Sequence, residues 1–176
     1  MGADIHLYLE VHGDDGWQAV APLQYENDDP DFPVPYMDSP YTRRDYVLFA
    51  ALSGVRDEDA TRDDWPLFEV CDDEVFPDGT SPQLRELWTW FVDSGIPAHS
   101  ASMATLAELQ GVDWTFLSDP SYRSGPVTAG EVGGRPIVIA GDEGADGALA
   151  EWQRLLNHMA TLGPPQSVRA VWWFDN

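Results

Sequence analysis

Polar and apolar residues alternate with period two from Asp4 to His12, the spacing of a strand whose successive side chains point to opposite faces. Ile5, Leu7, Leu9 and Val11 take one face; Asp4, His6, Tyr8, Glu10 and His12 take the other. The first face builds a core. The second is either a solvated sheet face or the floor of a site. Gly13-Asp14-Asp15-Gly16 then reads as a turn, and Trp17 to Ala21 as the returning strand of a hairpin.

The remaining pattern divides into helices and loops. Residues 22–41 are rich in proline and carry no helical or strand period, so they read as a long loop. Thr42 is the expected cap of a helix over residues 43–53, stopped by Gly54. A second irregular, acidic stretch covers residues 56–80, with the clusters Asp57-Glu58-Asp59 and Asp72-Asp73-Glu74. Ser81-Pro82 opens the next helix, and Leu84, Leu87, Trp88 and Phe91 give it one apolar side before Gly95 ends it. Thr105 and Glu108 have the spacing of a capping box. A second hairpin is expected from residues 127–132 and 135–140 across Gly133-Gly134. Leu149, Trp152, Leu155, Leu156, Met159 and Leu162 mark a long amphipathic helix closed by Gly163-Pro164-Pro165. Val168 to Phe174, β-branched and aromatic, is the expected central strand. The sum is one α+β domain over residues 1–176, a mostly antiparallel sheet with three or four helices packed against it.

Charge narrows the partners. The chain has 31 acidic and nine basic residues, a net charge of -22, and every basic residue is arginine. Such a surface repels phosphate backbones and anionic lipid, so direct nucleic-acid or membrane binding is not expected. Docking on a basic protein, or acting as an acidic mimic of nucleic acid, remains open, beside the simpler reading that the charge serves solubility. Cys71 is the single cysteine, which rules out a disulfide within the chain or a thiolate zinc cluster. No basic-plus-apolar leader and no apolar run of about 20 residues occurs, so a cytoplasmic location is expected.

Candidate chemistry gathers on the polar face of the first strand. Asp4 and His6 lie about 6.6 Å apart along that face, close enough to converge on one ion, whereas Glu10 is about 13 Å beyond His6. His99, read as lying in a loop, and Asp175, beside Asp4 if the last strand pairs antiparallel with the first, complete a nitrogen and oxygen set. Asp4, His6, His99 and Asp175 would suit a divalent metal ion such as zinc, manganese or iron. The alternative is four exposed polar residues with local hydrogen bonds. Arg43 and Arg44, expected in a helix's first turn, could hold an anion or answer nearby acids. Tyr8, Glu10, Arg43, Arg44, Ser100 and Trp173 are the candidate pocket residues. Adjacency alone does not place the His99 imidazole on the Ser100 hydroxyl, and without a nucleophile elbow no catalytic triad is expected.

Four segments together resemble a group of uncharacterised proteins encoded by bacteriophages and by actinobacterial or other GC-rich genomes. They are D-I-H-x-x-x-E from Asp4, R-x-Y-x-L-F-x-x-L-x-x-V-R from Arg44 to Arg56, H-S-x-S-x-x-T-L-x-E-L from His99 to Leu109, and W-F-D-N from Trp173. The resemblance implies a compact single domain of phage or mobile-element origin and no established reaction. The expected function is a cytoplasmic binding protein, a phage accessory or counter-defence factor that recognises a small polar ligand or a basic host protein. The alternatives are a metal-dependent hydrolase using the Asp/His set and an acidic nucleic-acid mimic.

Overall fold

The computed structural model describes residues 3–26, 33–55, 62–72, 74–122, 128–132, 135–138 and 147–175. The Gly133-Gly134 turn, the acidic cluster Asp57-Glu58-Asp59, Asp73 and Asn176 lie outside the described residues.

The α+β expectation holds. Strand β1 (Asp4–Gly13) turns at Asp14-Asp15 into β2 (Gly16–Ala19), with Gly13 opposite Gly16. Gly16 sits at φ 100°, a conformation that suits glycine and lets so short a turn close. After the two-residue strands β3 (Gln24–Tyr25) and β4 (Pro35–Tyr36) come helix α1 (Tyr46–Ser53) and helix α2 (Pro82–Asp93). Strand β5 (His99–Thr105) follows, then α3 (Leu106–Gln110), a separate hairpin β6 (Thr128–Val132) and β7 (Arg135–Val138), α4 (Ala148–Leu162) and β8 (Val168–Asp175). The main sheet is antiparallel in the order β2-β1-β8-β5. Strand β8 is therefore internal, as its apolar sequence requires, and seven of its eight residues are buried.

Helix α1 starts three residues later than the Thr42 cap predicts. Asp45 accepts a hydrogen bond from the Leu48 amide at 3.2 Å, and every residue from Tyr46 to Ser53 is buried. Aspartate caps at least as well as threonine, and here it immediately precedes the continuous apolar run. The helix begins where burial begins. Arg43 and Arg44 consequently precede the helix instead of occupying its first turn. The other signals hold: Gly54 ends α1 at φ 69°, Ser81 caps α2 ahead of Pro82, and Thr105 and Glu108 form both bonds of the capping box.

The sheet is covered on both faces. Ile5, Leu7, Leu9, Trp172 and Phe174 pack with α1, Trp114 and the α4 residues Trp152, Leu155 and Met159. The opposite face packs Tyr8, Val171 and Trp173 against Leu84, Leu87, Trp88 and Phe91 of α2 and against Phe76. The polar face of β1 is thus neither a solvated surface nor an open floor. Its middle, Tyr8 and Glu10, is buried, while Asp4 and His12 at its ends are exposed and His6 is part-buried.

Candidate functional site

Antiparallel pairing brings the start of β1, the end of β8 and the start of β5 to one end of the sheet. The register sets Asp4 opposite Asp175, His6 opposite Trp173 and His99 opposite Phe174. Five of the residues singled out by sequence, Asp4, His6, His99, Ser100 and Asp175, therefore share this end, and Arg44 reaches it from the segment before α1.

His6 is the best-fixed group there. Its ring packs edge-on against Phe91 at 4.6 Å between centroids and stacks on Trp173 at 5.6 Å. Its Nε2 meets Asp175 Oδ2 at 3.1 Å. Against an ionised carboxylate Nε2 is the donor, so in the neutral ring Nδ1 is the acceptor. Among the described residues nothing hydrogen-bonds to Nδ1, and the His6 side chain remains 22% exposed. The bond from His6, aided by the Asp4 backbone amide and the nearby His99 ring, holds the Asp175 carboxyl below the usual carboxylate range against its partial burial. Asp175 is therefore an anion at neutral pH, fit to orient an imidazole.

His99 corrects a second expectation. It opens strand β5 and does not lie in a loop. Between His99 and Ser102 the register with β8 slips, and Ser100 takes φ 53°, a left-handed conformation rare for a residue with a Cβ. That kink turns Ser100 back on its neighbour, so its Oγ lies 2.9 Å from His99 Nδ1. Adjacent residues on a regular strand point to opposite faces; the bulge cancels that rule.

The four proposed metal ligands do not converge. The Asp4 carboxylate is taken by the Arg44 guanidinium, whose Nε donates at 2.9 Å, and Asp175 is taken by His6. Among the described residues no group of three or more His, Cys, Asp or Glu side chains is placed to hold a metal ion.

The six candidate pocket residues also separate. Tyr8 and Trp173 belong to the core beneath α2, and burial pushes the Tyr8 phenol well up. Arg43 pairs with Glu151 of α4 at 3.5 Å. Glu10 is fully buried and bonded to Arg169: Arg169 Nε donates to Glu10 Oε2 at 2.6 Å. The same guanidinium donates to the Gly79 carbonyl at 2.7 Å and lies 3.9 Å from the Trp17 ring centre. Burial pulls the arginine's pKa down and Glu10 opposes it. The other Glu10 oxygen accepts the Ser81 amide at 2.6 Å, so one buried ion pair ties β1, β8 and the start of α2 together. Arg169 has no sequence signal of its own, because its partner lies 159 residues away.

A cleft of about 670 Å³ opens elsewhere, beside β5, lined by Phe68, Glu69, Cys71, Asp78 and Met103 among others. Burial and the neighbouring carboxylates Glu69, Asp72 and Asp78 raise the Cys71 thiol's pKa, which leaves it a poor nucleophile. Among the described residues no helix is long and apolar enough to cross a membrane. Comparison with protein-family models, with curated proteins and with solved structures gives no match to this chain.

Proposed function

We propose that the protein is a binding protein for a small polar molecule, taken at the sheet end around His6, His99, Ser100 and Asp175. The observation that carries this reading is the His6 imidazole: packed on two rings, oriented by an ionised carboxylate, and presenting an Nδ1 that has no hydrogen-bond partner among the described residues. A hydroxyl or amino hydrogen of a ligand would complete it, and the Ser100 hydroxyl at the same end of the sheet can donate or accept. The Asp4–Arg44 pair, exposed at the rim, would meet the ligand's polar edge.

A second reading, docking on a basic protein, is favoured by charge. Arg43, Arg44, Arg62 and Arg169 are each engaged by a carboxylate within the chain, while the acids far outnumber the arginines. What remains for a partner is a strongly negative surface. A phage accessory or counter-defence role belongs to the same proposal and rests on the sequence resemblance alone.

A thermal-shift panel of free amino acids, nucleosides, monosaccharides and hydroxy acids at millimolar concentration tests the first reading. At least one compound should raise the melting temperature of the wild type and have no effect on His6→Gln, since a ligand that binds only the folded state stabilises it. A panel that stabilises neither protein, or both equally, contradicts the site.

A further inference from the structure

We infer that Ser100 is a nucleophile, activated by His99, toward an acyl group carried by a small polar ester; this rests on the sheet end being the working site. Two geometric features single out this serine. Its Oγ is in hydrogen-bond contact with His99 Nδ1 at 2.9 Å, the arrangement in which an imidazole protonated on Nε2 accepts the hydroxyl proton. Its backbone is held at φ 53° inside a strand, at a bulge. Such a conformation is sparsely populated for a residue with a Cβ and persists where the surroundings enforce it, often at reactive positions. Among the described residues the other non-glycine residue at positive φ is Glu74, which lies in the irregular stretch before α2 and touches no imidazole of a described residue.

The Asp175 carboxylate supplies what the pair needs. It is within electrostatic reach of His99 and is kept ionised chiefly by its bond to His6. A negative charge there favours the imidazolium that forms when His99 takes a proton. The step balances within these groups. Ser100 Oγ forms a bond to the acyl carbon as its proton passes to His99 Nδ1. The carbon–oxygen bond to the leaving alcohol breaks, and the alcohol departs with that proton. Water then attacks the acyl-serine, again giving a proton to His99, and release of the carboxylic acid restores the hydroxyl.

Diisopropyl fluorophosphate tests this without knowledge of the substrate, because it phosphorylates activated serines with loss of fluoride. The full-length protein should gain one adduct, mapped by peptide mass spectrometry to Ser100. Labelling should be at least ten-fold faster than in the urea-unfolded protein and at least ten-fold slower in His99→Gln. Ser100→Gly, which adopts positive φ without strain, should fold and remain unlabelled. An unlabelled Ser100, an adduct elsewhere, or equal labelling of His99→Gln overturns the inference. The two proposals fail separately. A compound that stabilises the wild type but not His6→Gln, with Ser100 unlabelled, refutes the nucleophile alone; rapid Ser100 labelling with no stabilising compound refutes the binding reading alone.

Discussion

Replacing Arg169 with methionine is expected to lower the free energy of unfolding by about 3–5 kcal/mol, the usual cost of removing one partner of a buried ion pair. The size follows from what is left behind. Glu10, fully buried, would keep its Ser81 amide but lose the one cation paired with it among the described residues, and the Gly79 carbonyl would lose the Arg169 donor. The stacking of the guanidinium on Trp17 would go as well. The double variant Glu10→Leu, Arg169→Met removes both charges and should recover part of that loss. Recovery stays partial because the Ser81 amide and the Gly79 carbonyl remain without their partners. Urea unfolding midpoints of the two variants and the wild type check the ordering. A double variant less stable than the single would mean that the pair adds stability beyond satisfying its own charges.

Trp173→Ala should cost a similar amount, about 3–5 kcal/mol. Trp173 is fully buried and touches the rings of His6, Tyr8, Phe76, Trp88 and Phe91 at centroid distances between 5.1 and 5.7 Å. It is the ring on which the layer beneath α2 assembles, so its loss leaves a cavity that five side chains border. Trp173→Phe should cost much less. The indole Nε1 is buried with no hydrogen-bond partner among the described residues, and phenylalanine removes that unpaired donor along with one ring. Equal destabilisation by Ala and Phe would show that the indole's own shape, not simply aromatic volume, holds the layer. Because His6 stacks on this ring, Trp173→Ala should also loosen the imidazole.

The parts of the fold readable from sequence are those set by local rules. Strand β1 follows from alternation, α2 and α3 from their caps and apolar spacing, and β8 from its unbroken run of β-branched and aromatic residues. Register supplied a long-range contact as well: antiparallel pairing of the outer ends puts Asp175 beside Asp4. Strand β5 escaped because His-Ser-Ala-Ser-Met-Ala-Thr has small side chains, no alternation and a bulge in its first half. The polar face of β1 misled for a different reason. Tyr8 and Glu10 look like site residues until α2 covers them and Arg169 neutralises Glu10, and neither event leaves a trace near β1 in the sequence. The contact between Ser100 and His99 depends on one left-handed residue, which propensity at serine does not foretell.

The measurement that tests the account most directly is backbone-amide NMR mapping of whichever panel compound binds best. The largest shifts are expected on Asp4 to His6, His99 to Ser100 and Phe174 to Asp175. Shifts confined to Phe68 to Cys71 and Met103 to Thr105, around the cleft beside β5, would contradict it and move the working site to that cleft.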